Sequence, residues 1–512
     1  MYKIQNSKFV IQNLTRLSLT LCVFAASVLG QTQTPPTPSA PRAAKIPAVA
    51  EKKLANGLRI ATAERKNVPL VTVYLSVTNG ANAEEETKAG LANLTASMLT
   101  KGTKTRTASQ IAEQMEFLGG AIVTGAGWNN SVVSVTVMSD KVDAAMAIMA
   151  DVVLNPKFDS KELDLLKSQT LDGLTYNLKQ PGFLANYVAS KYAFEEHPAG
   201  GTPETIQKIT VSDISKFKNE NYTPEKSVLI FTGDITGGRA SALAQKFFGR
   251  WRSADKKNAP MTETLLTTSG TDTQKQAETA QKTLVSRILV VDLPDSGQAS
   301  VNYAVYVPNG RSDTTSTGAK AASNPYFYSA LVMNSVLGGG YSSRLNQEIR
   351  IKRGLSYGAG SNFAWRYNSS NFSTATQTKN ESAAEVADLV LTEIKKLSGT
   401  SVTQTELAPR KLVLTGDFGR ELETTQTLAQ TIAALYTYNL PVGELNTYIK
   451  DVNEVTDDEI VYFAERYINE GNLIIVGDYK IFKDDLAKRF PNTKIDVVKA
   501  DSLDLSAASL QK

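Results

Sequence analysis

The sequence predicts an α+β protein built from two duplicated domains. The chain has 512 residues, which is more than one ordinary domain holds. Its hydrophobic fraction of 42% and charged fraction of 21% are typical of a globular chain that can bury a sizeable core. A segment that ends at Asp234 is repeated in the second half, where it ends at Asp478. Because the repeat unit is as long as a domain, the two copies indicate duplicated domains rather than a solenoid.

The two copies of the repeat share one order of features, which predicts the same helix and strand in each half. The first reads ITVSDISKFKNENYTPEKSVLIFTGD and the second reads EVTDDEIVYFAERYINEGNLIIVGD. Each has a Thr placed to cap a helix, an amphipathic segment, a Tyr, a turn and an apolar strand closed by Gly-Asp. The halves also begin alike, with the strand patterns VTVYLSVTNGA and SVNYAVYVPNG.

The first thirty residues predict a secretory signal. Lys3, Lys8 and Arg16 accompany an apolar run from Leu17 to Gly30, and the segment contains no acidic residue. We expect cleavage near Gly30 and export to the periplasm. The alternative is a tether that stays in the membrane, although the run is shorter than the ~20 residues of a spanning helix. The single cysteine of the chain lies inside this run, so the processed protein would have no disulfide.

The remaining boundaries follow from composition. A stretch rich in Pro, Thr and Ala predicts a flexible tether, and a later polar stretch with few aromatic residues predicts a linker. We expect ordered structure to begin near Leu54, with the strand patterns GLRIATAE and PLVTVYLSVTNGA. The predicted segments are the signal at 1–30, the tether at 31–48, a first domain at 49–251, the linker at 252–282, a second domain at 283–498 and a tail at 499–512.

Periodicity predicts the elements that follow in the first domain. Helical patterns are found around GLANLTASMLTKG, TASQIAEQMEFLG and KVDAAMAIMADVVL, and SVVSVTVM between the last two predicts a strand.

The charge balance excludes one class of partner. A formal net charge of +4 is close to neutral for a chain of this length, so charge gives no reason to expect nucleic acid as a partner.

Residues 90–103 read GLANLTASMLTKGT, and this segment resembles the metal-binding helix of the pitrilysin/insulinase family of zinc metallopeptidases. The family includes the mitochondrial processing peptidase, and its active members carry H-x-x-E-H in a frame like GLAH-x-x-EHM-x-x-KGT. Asn93 and Ser97 stand where the two histidines would be, and Ala96 stands where the glutamate would be. The frame itself is matched at Gly90, Leu91, Ala92, Met98, Lys101, Gly102 and Thr103.

These replacements remove the chemistry of the motif. Two histidines at i and i+4 share a helix face and can bind one zinc ion, and the glutamate between them takes a proton from the bound water. Asn and Ser are poor zinc ligands, and Ala cannot transfer a proton. The resemblance places Gly173 at the position of the third ligand, a glutamate in the family. We therefore expect this chain to bind no metal or other cofactor and to have no peptidase activity on its own.

The single histidine of the chain, His197, supports the same expectation. A catalytic zinc site normally uses several His or Cys ligands, and one histidine cannot supply them. We interpret His197, in the loop segment EEHPAGGTPETIQKIT, as a residue that caps or packs rather than one that catalyses.

The segment LGGGYSSRLNQEIRIKRGLSYGAGS, at 337–361, resembles the C-terminal signature of the same family. There a glycine-rich turn leads into a helix that carries an Arg, and a Tyr follows seven residues later. Here these are Arg350 and Tyr357, with the helix expected at Ser342–Arg350. In the family this pair comes from the domain or subunit without zinc and contacts the substrate. An Arg can hold a carbonyl or carboxylate by two hydrogen bonds, and a Tyr hydroxyl can donate to a developing oxyanion.

The resemblance covers about residues 50–490 and implies a fold and a function. The implied fold has two homologous α+β domains, each a mostly antiparallel sheet faced by helices, which close as a clamshell around a peptide-sized chamber. Active bacterial relatives are often pairs of different chains. The implied function is the non-catalytic, substrate-binding subunit of an exported heterodimeric zinc peptidase, which binds extended or unfolded peptide and gives Arg350 and Tyr357 to a zinc-bearing partner. Two alternatives stay open: a structural or assembly scaffold without proteolysis, and a stand-alone peptide-binding module.

Overall fold

The computed structural model describes residues 45–253, 287–313, 322–505, 507, 510 and 511. The predicted signal, most of the tether and most of the linker therefore lie outside the described residues. Residues Ile46–Lys512 form one compact unit that contains both halves of the duplication. Among the helices of the described ranges, none is long and apolar enough to cross a membrane.

The first half contains a six-stranded sheet with the strand order β1-β2-β6-β3-β5-β4. Its neighbouring strands are antiparallel except for β2 and β6, which are parallel. The central strands are rich in β-branched residues and buried on both faces, which is why they lie inside the sheet. The strands are β1 (Val49–Lys53), β2 (Arg59–Glu64), β3 (Leu70–Val77), β4 (Ile122–Ala126), β5 (Ser131–Met138) and β6 (Ser227–Gly233).

The second half contains another six-stranded sheet, with the order β11-β12-β8-β13-β7-β14. Two of its neighbouring pairs are parallel, β13 with β7 and β7 with β14, and the other three are antiparallel. A separate short ladder joins β9 (Ser312–Asp313) to β10 (Ala322–Ser323). The six strands of the sheet are β7 (Ile288–Asp292), β8 (Ala299–Val307), β11 (Ser356–Trp365), β12 (Ser370–Thr378), β13 (Asn472–Gly477) and β14 (Ile495–Lys499).

Helices surround both sheets. Those of the first half are α1 (Leu91–Met98), α2 (Ala108–Phe117), α3 (Val142–Leu154), α4 (Ser160–Asn177), α5 (Pro181–Tyr192), α6 (Pro203–Lys208), α7 (Val211–Asn221) and α8 (Gly237–Phe248). Those of the second half are α9 (Phe327–Leu337), α10 (Ala383–Gly399), α11 (Gln404–Glu421), α12 (Thr425–Thr437), α13 (Glu444–Glu454), α14 (Asp457–Phe463) and α15 (Tyr479–Arg489). Two π-helical segments, Asn346–Ile351 and Ala464–Ile468, complete the second half.

The duplication predicted from the sequence is confirmed by the order of the strands. Strands β2, β6, β3, β5 and β4 of the first sheet correspond in order to β7, β13, β8, β12 and β11 of the second. The two repeated segments form α7 with β6 and α14 with β13, and Thr210 and Thr456 cap their helices in the same way. Only the outermost strand differs, because β1 is antiparallel to its neighbour whereas β14 is parallel.

Each half contributes one helix that packs on the sheet of the other half. Helix α12 of the second half packs on the first sheet, where Leu428 and Ile432 contact a buried cluster with Val228 and Ile230. Helix α5 of the first half packs on the second sheet in the corresponding way, through Leu184, Ala185, Val188 and Ala189. Each sheet is therefore covered on one face by a helix of the other half, and the two hydrophobic cores hold the halves together.

The structure adds detail at the two ends of the ordered region. Ordered structure begins before Leu54, because β1 pairs with β2 along its whole length. This strand is mostly exposed and carries charged residues, so no hydrophobic pattern indicates it in the sequence. Its contacts with other elements include the backbone pairing with β2, the packing of Val49 on the cluster that contains α12, and a hydrogen bond of 2.6 Å from the hydroxyl of Tyr436 to Glu51. The stretch predicted as a tail also contributes to the core, since Leu505 and Leu510 are buried in the cluster around the second sheet.

Candidate functional site

Helix α1 is the segment that resembles a metal-binding helix. It begins after Gly90, whose φ of +91° favours glycine, and a Cβ there would lie 2.6 Å from the side chain of Ile206. Asn93 and Ser97 are half-buried on one face of the helix, whereas Ala96 is fully buried. These residues do not fit a zinc ion, since the helix offers no imidazole and no carboxylate at the three positions.

Asn93 has a structural use in this fold. Its Oδ1 accepts a hydrogen bond of 3.3 Å from the backbone N–H of Ala126, at the end of β4. Its Nδ2 donates one of 3.3 Å to the carbonyl oxygen of Ala199. The residue at the first histidine position therefore joins the helix to a strand and to a loop that lie far from it in the sequence.

The position aligned with the third ligand, Gly173, lies on α4, which packs against α1. The residue is exposed, and a Cβ there would meet no atom within 4 Å. The structure thus brings together the two helices that the resemblance pairs, but Gly173 has no side chain to offer. Across the described ranges, no group of three or more His, Cys, Asp or Glu side chains could hold a metal ion.

A buried carboxylate that the sequence did not indicate caps the start of α1. The side chain of Glu84 is fully buried, and its two oxygens accept hydrogen bonds of 2.8 Å from the backbone N–H groups of Gly90 and Ala92. The Nε2 atom of His197 lies 3.0 Å from Oε1 of Glu84. An anion at a helix N-terminus satisfies free N–H groups and interacts favourably with the helix dipole.

His197 also belongs to a stack that joins the two halves. Its ring lies 4.9 Å from that of Trp128, and the guanidinium of Arg366 lies 4.7 Å from Trp128 on the indole face. Arg366 forms two hydrogen bonds with Glu196, of 3.1 and 2.7 Å. His197 is therefore a packed and hydrogen-bonded residue, in agreement with the role expected for it.

The frame residues around the lost motif also have structural roles. Gly102 adopts a φ of +133°, and Thr103 donates a hydrogen bond of 2.6 Å from Oγ1 to Asp151 on α3. Thr105 Oγ1 and Arg106 Nη1 donate to the same carboxylate oxygen, at 2.9 and 2.7 Å. Burial alone raises the pKa of Asp151, but these hydrogen bonds outweigh it and hold the pKa below its ordinary value.

We expect Asp151→Asn to lower the free energy of unfolding by about 2 kcal/mol at neutral pH, because the carboxylate binds a cation and two hydroxyls. A group whose pKa is lowered by folding contributes stability above its unfolded pKa and loses it as the pH falls through the folded pKa. The difference between the two proteins should therefore shrink below about pH 4. Chemical denaturation across that range measures it. The control is Asp143→Asn on the same helix, because the side chain of Asp143 is half-exposed and its ion pairs with Arg239 and Lys246 lie at the surface. An undiminished difference at low pH would contradict the prediction.

The Arg and Tyr of the second half lie next to each other. Arg350 is on the π-helical segment, and Tyr357 follows at the start of β11. The guanidinium carbon of Arg350 lies 5.0 Å from the ring centroid of Tyr357 and 5.1 Å from that of Tyr341. Tyr357 is 92% exposed and Tyr341 is 66% exposed. The guanidinium is thus in contact with two exposed aromatic rings.

Arg350 differs from neighbouring arginines in having no acidic partner. Arg344 binds Glu406 and Arg353 binds Glu348, whereas within the described part of the chain the side chain of Arg350 forms no ion pair or hydrogen bond. Its contacts are with ring faces, which leaves its N–H groups free to bind a carbonyl or carboxylate.

The glycine-rich turn, which precedes Tyr341, packs against β11, the strand that carries Tyr357. A Cβ on Gly338 would lie 2.4 Å from the backbone nitrogen of Ser361, so only glycine allows the turn to pack this closely on β11. The helix after the turn begins at Arg344, two residues later than expected. Asn346 explains the delay, because its Nδ2 binds the carbonyl oxygen of Tyr341 and its Oδ1 accepts from the N–H of Ala359. Neither Tyr341 nor Asn346 was identified from the sequence.

Known proteins resemble this chain over most of its length. Residues 59–190 match the family model described as Insulinase (Peptidase family M16), and residues 208–412 match the one described as Peptidase M16 inactive domain. A Mycobacterium leprae protein named an uncharacterized zinc protease is 25% identical over 434 residues, which is 84% of this chain and 91% of that protein. A Helicobacter pylori protein named a non-peptidase homolog is 24% identical over 430 residues, covering 81% of this chain and 91% of that protein.

A solved structure has the same fold. The crystal structure of a peptidase M16 inactive domain from Pseudomonas fluorescens matches with a TM-score of 0.70 and 24% identity, over 84% of this chain and 98% of that chain. The similar proteins thus carry names of both kinds, zinc protease and non-peptidase homolog.

Proposed function

The chain belongs to peptidase family M16, the insulinase family, and on this basis we propose that it is the non-catalytic, substrate-binding subunit of a two-chain zinc peptidase. A zinc-bearing insulinase-type chain is the partner in this proposal and supplies the metal and the glutamate. The present chain supplies Arg350 and Tyr357 to the substrate. In this proposal the predicted N-terminal signal exports the chain, and the pair acts in the periplasm.

The observation that carries the proposal is the state of Arg350. Exposed arginines are commonly solvated or paired with carboxylates, but this one is positioned by two tyrosine rings and retains free N–H donors. Such a guanidinium can bind a peptide carbonyl or carboxylate through parallel hydrogen bonds. The exposed hydroxyl of Tyr357 can donate to a carbonyl oxygen that gains negative charge. Helix α1, by contrast, has no residue that could bind zinc or take a proton from a zinc-bound water.

The edges of the two sheets support extended peptide as the substrate class. Strand β11, which carries Tyr357, is the outermost strand of the second sheet, and β4 beside α1 is the outermost strand of the first. Ala126 of β4 and Ala359 and Ser361 of β11 already donate their backbone N–H groups to neighbouring segments. An extended peptide can pair as an added strand with the other outward-facing N–H and C=O groups of such an edge. A folded substrate lacks a free strand and would not bind in this way.

The proposal is tested by producing this chain together with a zinc-bearing insulinase-type chain from the same organism. We expect the two chains to purify as one complex, with one zinc ion per pair, that cleaves an unstructured peptide. This chain alone should contain no stoichiometric zinc and should not cleave the peptide. Stoichiometric zinc on this chain alone would overturn the proposal. A stable complex without turnover would favour a scaffold, and peptide affinity without any partner chain would favour a stand-alone binding module.

A further inference from the structure

A cavity of about 390 Å³, open to solvent and lined by charged and polar residues, lies beside the segment that carries Arg350. Its walls come from the residues after the glycine-rich turn and from helices α10 and α11. The residues of its lining that matter here are Ser342, Arg344, Lys352, Lys396, Glu406 and Arg410. Neither the resemblance nor the proposed function gives this cavity a role.

The charges of the lining do not balance. Four cations face three carboxylates, and three of the cations form ion pairs: Arg344 with Glu406, Lys352 with Glu348, and Lys396 with Glu393. Arg344 donates hydrogen bonds of 2.9 and 2.8 Å to the two carboxylate oxygens of Glu406. Arg410 is the fourth cation, and it has no ion pair with a residue of the described ranges.

Arg410 is also the most deeply placed of the four, since only 8% of it is exposed. Its Nη1 donates a hydrogen bond of 2.8 Å to Ser342 Oγ, and Nη2 donates to the carbonyl oxygen of Ser342. Its Nε is buried and has no hydrogen-bond partner in the described part of the chain. Burial lowers the pKa of Arg410, while Glu406 opposes this from a longer distance. A buried cation with a free N–H is costly unless an anion accepts from it.

We propose that this cavity binds a phosphate group, either inorganic phosphate or a phosphomonoester, with Arg410 as its main ligand. A phosphate has several acceptor oxygens, so it can accept at the same time from the guanidinium of Arg410, which lines the cavity, and from Lys352. Its charge compensates the cation that the protein leaves unpaired. Arg410 donates hydrogen bonds to both the hydroxyl and the carbonyl oxygen of Ser342. An anion bound to Arg410 therefore also stabilises the turn next to Tyr341, and the ring of Tyr341 contacts Arg350.

Isothermal titration calorimetry of the full chain with inorganic phosphate at low ionic strength tests this proposal, with glycerol phosphate and acetate in parallel titrations. We expect saturable phosphate binding in the millimolar range or tighter, and no binding of acetate. Tighter binding of glycerol phosphate than of inorganic phosphate would identify a phosphomonoester as the natural ligand. Arg410→Gln should weaken phosphate binding at least about tenfold, and Lys352→Ala should weaken it about threefold.

Lys395→Ala provides the matched control, because Lys395 is exposed on α10 and does not line the cavity. Its affinity for phosphate should equal that of the wild type. If Arg410→Gln does not fold, as judged by circular dichroism, the comparison of Lys352→Ala with Lys395→Ala decides. Absence of saturable binding to the wild type, or equal affinity of the cavity and control variants, would overturn the proposal. Neither result depends on a partner chain, so the failure of this proposal and that of the proposed function can be told apart.

Discussion

Replacing Arg350 by Ala is expected to lower kcat/KM of the assembled two-chain peptidase by roughly 100- to 1000-fold, because two charge-assisted hydrogen bonds to the peptide are lost. The guanidinium contacts the rings of Tyr341 and Tyr357 and forms no ion pair with any residue that the structure describes. Tyr357→Phe keeps the ring contact and removes the hydroxyl, so we expect about a 100-fold loss, mainly in kcat. Steady-state kinetics on an unstructured peptide measures both effects.

Two matched variants control for nonspecific effects. Arg353→Ala removes a nearby arginine that is already paired with Glu348, and Tyr462→Phe removes the hydroxyl of another exposed tyrosine. Both variants should keep kcat/KM within about twofold of the wild type, since surface changes away from a site have small effects. If Arg350→Ala cleaves the peptide as well as Arg353→Ala does, the pair does not contribute to the reaction.

Glu84→Ala is expected to lower the free energy of unfolding by about 3 kcal/mol, because two buried backbone N–H groups at the start of α1 lose their acceptor. The carboxylate is fully buried and binds Gly90, Ala92 and His197 together. Glu84→Gln keeps one acceptor oxygen but points an N–H group at another donor, so we expect a loss of about 2 kcal/mol. Chemical denaturation followed by circular dichroism measures these differences.

The adjacent Glu85→Ala is the control for this prediction. Glu85 is exposed and its side chain caps no helix, so its replacement should change the free energy of unfolding by less than about 0.5 kcal/mol. Equal stability of Glu84→Ala and Glu85→Ala would show that the cap is dispensable.

Local patterns predicted much of the fold. The alternation in SVVSVTVM predicted β5, and Thr210 and Thr456 predicted the starts of α7 and α14, because strand periodicity and helix capping depend on neighbouring residues. Strand β1 was missed because its residues are mostly exposed and its contacts, with β2 and with Tyr436, are made by residues distant in the sequence. The exchange of α5 and α12 was missed because an apolar helix face does not indicate which sheet it covers.

For the site, the sequence by itself determined which chemistry is present. Whether a helix can bind zinc and transfer a proton depends on which side chains stand at fixed positions along it. The identities of Asn93, Ala96 and Ser97 were therefore enough to show that the motif is lost. The tertiary structure alone decided what those and other residues do instead. Asn93 binds Ala126 and Ala199, Glu84 caps α1, and Tyr341 contacts Arg350. Each of these contacts joins residues that no local pattern relates, because folding and not sequence spacing makes them neighbours.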